Sequence, residues 1–254
     1  MTMKINKTHS LMLFLGISIL LTGCSDSLSD TTDGRLRYWI STLSSDEFEG
    51  RAPGTEGGQL TKNFISKTFQ DLNLDPVNGS YFLDVPTSEI TLKDSSYLTL
   101  SFRGNDRKMI TGDEVVFWTK QAREYRKIRD SEVVFVGYGI VAPEYNWNDY
   151  DGIDVKGKTV VILINDPGFA TGKLRLFNGK SMTYYGRWTY KFEEAARQGA
   201  AAAIVIHEEE PAAYPWSVVE NSWQGPQLDL QRDDLGADRV ISVSYTHLTL
   251  PTKA

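Results

Sequence analysis

The sequence predicts a mixed α/β chain with a β-rich middle. Three observations carry that reading. Glu132–Val136 and Thr159–Ile164 are short runs rich in β-branched and aromatic residues, the composition of buried strands. Leu36–Leu43 and Leu60–Leu72 space their apolar residues three and four apart, as amphipathic helices do. Trp188–Ile206 reads as a helix leading into an apolar strand, so Thr159–Ile206 has the order of a strand–helix–strand crossover.

The chain begins with a targeting pattern. Lys4 and Lys7 precede an apolar run, Leu11–Leu21, that is too short to span a bilayer comfortably. It ends in Leu21-Thr22-Gly23-Cys24, which is similar to a bacterial lipoprotein signal and makes Cys24 the expected lipidation site. Cys24 is the only cysteine, so no intramolecular disulfide is expected. Acyl chains on Cys24 imply a lipid-anchored, extracytoplasmic protein of the cell envelope. Residues 25–35 read as a polar tether.

Next, Leu36, Trp39, Ile40 and Leu43 form one face of a short helix. The stretch SSDEFEGRAPGTEGG is a glycine-rich loop, with Thr55 placed to cap the following helix and Glu56 in its first turn. Leu60, Phe64, Thr68 or Phe69, and Leu72 line that helix. Tyr81–Val85 reads as a strand. From near Ile90 short strands follow closely. Tyr97–Phe102 and Lys108–Ile110 flank Gly104-Asn105-Asp106 as a hairpin, and Val115–Trp118 is a further strand. Asn165-Asp166-Pro167-Gly168 stops the second buried run, and Phe169–Arg187 reads as an irregular surface loop. Tyr214, Trp216 and Trp223 either cover the sheet or face a partner. From about Val243 the chain reads VSYTHLTLPTKA, in the manner of a translated sequencing adaptor. Residues 243–254 are therefore expected to be a non-native tail, the second reading being a C-terminal strand.

The series VFVGYGI, Trp147-Asn148-Asp149-Tyr150, DVKGKTVVIL, NDPG and EEAARQGA resembles a protease-associated domain. It is most similar to the version inserted into bacterial zinc aminopeptidases of metallopeptidase family 28, and the EGRAPGT stretch resembles the start of their catalytic domain. The resemblance spans roughly Leu36 to Leu230. It implies that residues 36–89 begin an incomplete zinc-exopeptidase-type α/β domain and that residues 90–236 are the inserted, β-rich domain. It also implies peptide substrates and two zinc ions in the whole enzyme, held by two histidines with bridging and terminal carboxylates beside a glutamate general base: a His-x-Asp that follows the insert comes first, then a Glu-Glu pair and a late histidine.

The residues present do not supply that chemistry. Of three histidines, His9 lies in the targeting segment and His247 in the suspected tail. His207, in His-Glu-Glu-Glu-Pro, matches neither His-x-Asp nor His-Glu-x-x-His, and reads as a solvated or edge histidine. No catalytic residue, cofactor-binding residue or metal ligand is assigned. Glu49 and Arg51 read as a structural loop pair. Asn146, Asn148, Asp149, Asp151 and Asp154 crowd one loop, but their spacing is not that of a calcium-binding EF-hand. An acidic turn with Trp147 and Tyr150 packed beneath it is expected instead. No Gly-x-Ser-x-Gly elbow occurs, and Gly137–Gly139 is no dinucleotide fingerprint, since no helix pattern follows. The formal net charge of −6, without a basic stripe running along the chain, makes nucleic acid an unexpected partner. Two functions remain. One is the N-terminal part of a membrane-anchored zinc aminopeptidase, itself inactive. The other is a lipid-anchored protein that binds peptides or a protein partner through the aromatic segment Tyr214–Trp223.

Overall fold

The computed structural model describes residues 32–231 and 241–245, so Cys24, His9 and His247 lie outside the described residues. The chain divides between Asp84 and Val85 into two units.

In the first unit, α1 (Thr32–Leu43) and α2 (Glu56–Asp71) are joined by a 3-10 segment, Asp46–Arg51. Thr55 caps α2 as its sequence position suggests: its hydroxyl accepts from the Gly58 N–H at 3.1 Å and donates to the Ala52 carbonyl at 2.8 Å. The packing is thin. Among the described residues of this unit Phe48 is the buried large hydrophobic one; Phe64 packs on it and Tyr38 packs on Phe64, while Leu36 and Ile40 stand exposed. Tyr81–Val85 is not a strand. Phe82, Leu83 and Val85 are exposed, and no described strand pairs with them, so the apolar alternation has no ladder to join.

The second unit contains β1 (Thr87–Thr91), β2 (Tyr97–Phe102), β3 (Asn105–Ile110), β4 (Val115–Trp118), β5 (Val133–Phe135), β6 (Val141–Ala142), β7 (Trp147–Asn148) and β8 (Thr159–Leu163). After these come α3 (Pro167–Thr171), α4 (Trp188–Arg197), β9 (Ala202–Ile206), α5 (Glu209–Ala212), α6 (Trp216–Ser222), β10 (Pro226–Leu230) and β11 (Ile241–Tyr245). The fold is mixed α/β, as the sequence predicts.

Its centre is a five-stranded sheet in the order β4-β11-β9-β8-β5. β11, β9, β8 and β5 run parallel, and β4 is antiparallel at one edge. Period-two alternation sorts the side chains. Val160, Ile162, Ala203 and Val205 face a core shared with Phe192 and Ala195 of α4. Ile204, Val243 and Tyr245 face the other way, onto Met109, Val115 and the hairpin residues Leu98 and Leu100. Both faces are covered, which is why β8 and β9 read as continuous apolar runs. Each fully buried Val or Ile contributes about 1.5–3 kcal/mol.

Several elements differ from the sequence reading. β5 is the outer strand, not a buried one: Val133 and Phe135 are 50% and 58% exposed. The β2–β3 turn falls on Arg103-Gly104, both at positive φ, which leaves Asn105 and Asp106 inside β3. Residues 241–245 form a strand, β11. Val243, Ser244 and Tyr245 are buried in β11 between β4 and β9, because alternating Val and Tyr satisfy both the ladder and the core whatever their origin. The Asn165–Gly168 turn is also a helix start: Asp166 caps α3 and Pro167 occupies its first turn. A Cβ on Gly168 would lie 2.4 Å from the Leu176 carbonyl oxygen, so the loop closes over this position only with glycine. That loop is not an irregular surface segment. Phe177 is fully buried, stacked on Tyr145 with ring centroids 4.2 Å apart and edge-on to Trp147 and Tyr185. Ile140, Ala142 and Tyr190 complete this small core.

Candidate functional site

The strongest electrostatic feature of the second unit is Lys191 on α4. Its side chain is 0% exposed, and its Nζ donates to the Tyr138 carbonyl at 2.6 Å. Burial pushes the amine down to about 7, against the carboxylates of Asp166 and Asp149, which favour the charged form.

Both carboxylates are built into turns. Asp166, also fully buried, accepts from Gly168 N at 3.1 Å, Thr183 N at 3.1 Å and Thr183 Oγ1 at 2.7 Å. Asp149 closes the loop after β5. Its Oδ2 accepts from Ile140 N and its Oδ1 from Trp147 Nε1, each at 2.9 Å. Burial raises the Asp149 carboxyl above the usual range, while these two donors and Lys191 hold it down. One lysine thus ties α4 to the Gly137–Gly139 turn, and its charge acts on the acidic loop and on the Asp166 cap. With no exposed surface it meets no substrate. The chemistry it offers is a pH-dependent internal tie.

The other sequence-selected residues do not converge. Asp151 and Asp154 are exposed, Asn146 and Asn148 point to solvent, and Asp149 alone turns inward. Asn148 Oδ1 instead accepts from Tyr150 N at 2.9 Å, an Asx turn. Tyr150 is buried and Trp147 half-buried, the packing expected beneath an acidic turn. The Arg51 guanidinium donates to the Leu43 carbonyl, linking the EGR loop to the end of α1, and Glu49 is exposed.

His207 is not solvated. It is 1% exposed and extends β9, its N–H donating to the Tyr245 carbonyl at 2.8 Å. Its ring sits among Trp188, Tyr214 and Trp216, and Nε2 contacts the Tyr214 carbonyl at 3.1 Å. A carbonyl only accepts, so Nε2 carries the proton of the neutral ring. The Tyr214 hydroxyl accepts from the Trp188 indole and Trp223 packs on Trp188 and Phe192, so these half-buried rings cover the α4 side of the sheet. Burial lowers the His207 pKa below 6.5. The unfolded chain therefore binds more protons just below pH 6.5, and stability is lost as pH falls through that value. Melting curves taken through that range should show this loss in the wild type and a smaller one in His207→Phe. Equal losses would place the acid sensitivity elsewhere.

Among the described residues no three His, Cys, Asp or Glu side chains gather as a metal-holding group. The donor set does not fit zinc: the one described histidine is buried with its Nε2 committed to a carbonyl. No step through a metal is derived from these residues. Among them, no helix is long and apolar enough to cross a membrane.

No family model matches the chain, and no curated protein matches it. Among solved structures it is similar to an aminopeptidase from Aneurinibacillus sp. strain AM-1, at 17% identity and a TM-score of 0.33, over 86% of this chain and 39% of that one. It is also similar to BSAP, a zinc aminopeptidase from Bacillus subtilis, at 16% identity and a TM-score of 0.29, over 82% of this chain and 45% of that one. Both weak structural neighbours are aminopeptidases, the second of them a zinc aminopeptidase, and the chain spans less than half the length of each. Likeness of that size says nothing about chemistry.

Sequence reading missed Lys191, although the signal was present. Lys191 lies three residues after Trp188 and four before Ala195, on the face assigned to the core.

Proposed function

We propose that this chain is the N-terminal portion of a membrane-anchored zinc aminopeptidase that cleaves peptides outside the cytoplasm. It carries the lipidation site at Cys24, the first helices of the catalytic domain and the inserted protease-associated domain. The metal centre lies further along the chain. The observation that carries this reading is the order of motifs: EGRAPGT, then GKTVVILINDPG, then EEAARQGAAAAIVIH. The last two occupy β8 with the start of α3, and α4 with β9; β8 and β9 are neighbours in one sheet and α4 packs on it. The inserted domain holds its own core, and Lys191 fixes its loops. Its part in the enzyme is to shape access to a site formed elsewhere.

The test uses two proteins. The chain of 254 residues should neither hydrolyse leucine p-nitroanilide nor bind zinc stoichiometrically. The same chain extended through its genomic reading frame should do both. Zinc-dependent hydrolysis by the 254-residue chain, or none by the extended one, would overturn the proposal.

A further inference from the structure

Among the described residues, the outer strand β5 leaves hydrogen-bonding groups open. Thr159 N donates to the Glu132 carbonyl at 2.9 Å, and Val136 N donates to the Val161 carbonyl at 3.1 Å. Glu132 and Val136 thus face β8. A strand alternates, so the N–H and C=O of Val133 and Phe135 point to the free side. Their side chains are half exposed or more, which makes an apolar step on an unpaired edge. Such edges are templates for an added strand, and β5 carries no proline or bulge to block one.

The approach to this edge is basic in a chain whose net charge is −6. Between residues 120 and 130 stand Lys120, Arg123, Arg126, Lys127 and Arg129 against Glu124 and Asp130. Lys120 is engaged with Asp229 at 3.7 Å. The four that follow it are exposed, with Tyr125 among them at 70% exposure. Glu132, the nearest carboxylate to β5 in sequence, is neutralised by Lys158 at 2.9 Å. An anionic strand lying along β5 and continuing past residue 129 therefore meets open backbone groups, an apolar step and a surplus of exposed cations in turn.

We propose that the edge of β5, with the basic segment 123–129 that leads into it, docks an extended acidic peptide as an added strand. Backbone hydrogen bonds supply affinity and the cations select acidic sequences. A lipid surface supplies charge but no strand partner, so the open edge favours the peptide. This inference rests on the second unit alone and does not depend on the peptidase reading.

The probe is a fluorescein-labelled peptide of alternating glutamate and valine, about twelve residues long, enough to cover β5 and the basic segment at about 3.3 Å per residue. Anisotropy of this probe with the full chain should show saturable binding. A peptide N-methylated at alternate backbone nitrogens, with its charge unchanged, should lose it. The exposed double variant Arg126→Glu/Lys127→Glu, checked to melt like the wild type, should bind about tenfold more weakly. Equal binding of the methylated peptide would reduce the site to a simple anion patch and overturn the proposal. So would no saturation by roughly 1 mM. Binding of phosphatidylglycerol vesicles that is lost in the double variant, without peptide binding, would assign the patch to a membrane. Dimerisation of the free protein through β5 that excludes the peptide would equally contradict it.

Discussion

Lys191→Met should abolish a rise in stability that the wild-type protein shows from pH 7 to about 9.5. In the fold the amine titrates at about 7 because it is buried; in the unfolded chain it titrates near 10.5. Between those values the unfolded state binds the extra proton, so stability increases with pH. Each unit is worth about 1.4 kcal/mol, and the window adds about 3 kcal/mol that the methionine variant lacks. The variant also leaves the Tyr138 carbonyl without its donor, which shifts its stability by a constant amount and leaves the slope unchanged. The buried tyrosines do not confuse the result. Tyr190 is pushed up to about 12 by burial and titrates above the window in both proteins. Urea unfolding at a series of pH values measures the two slopes. Parallel curves would mean that Lys191 keeps an ordinary pKa and is not the internal tie described above.

Phe177→Ala should cost about 3–5 kcal/mol, the loss typical of a buried aromatic side chain. Phe177 has no exposed surface, and rings from Tyr145, Trp147 and Tyr185 surround it. Those neighbours belong to the loop that carries Asp149 and to the segment that brings Thr183 to Asp166. The substitution therefore loosens both carboxylate turns around Lys191 and should weaken the pH slope as well. Leu174→Ala, three residues earlier and 82% exposed, is the control and should fall within about 0.5 kcal/mol of wild type. Equal costs for the two variants would contradict a core beneath this loop.

What the sequence revealed and what it hid follow from locality. β4, β8, β9 and α2 were legible because their signals sit within a few residues: β-branched runs for the strands, and Thr55 with a regular apolar stripe for the helix. β5 was found, but its place at the sheet's edge was not, because edge and centre differ in which distant strand pairs, not in composition. The same limit explains Tyr81–Val85, an apolar alternation without a described partner, and Val243–Tyr245, whose burial depends on lying between β4 and β9. Phe177 followed a glycine-rich stretch that reads as loop, and only the folded chain brings Tyr145 and Tyr185 to it. Lys191 was visible as a cation on an apolar helix face. Its hydrogen-bond partner Tyr138 lies 53 residues away, and Asp149 and Asp166 are also distant in the chain, where no local rule reaches. His207 reads as a solvated or edge residue because the glutamates after it are polar, while the aromatic residues that enclose it, Trp188, Tyr214 and Trp216, are separated from it in the chain.

The most direct test of the peptidase account is to sequence the genomic reading frame past Ser242. The expected frame continues into a further domain containing a His-x-Asp after a strand, a Glu-Glu pair and a late histidine, in that order. A frame that stops near Lys253 with none of these would contradict it, leaving a lipid-anchored module whose activity is binding.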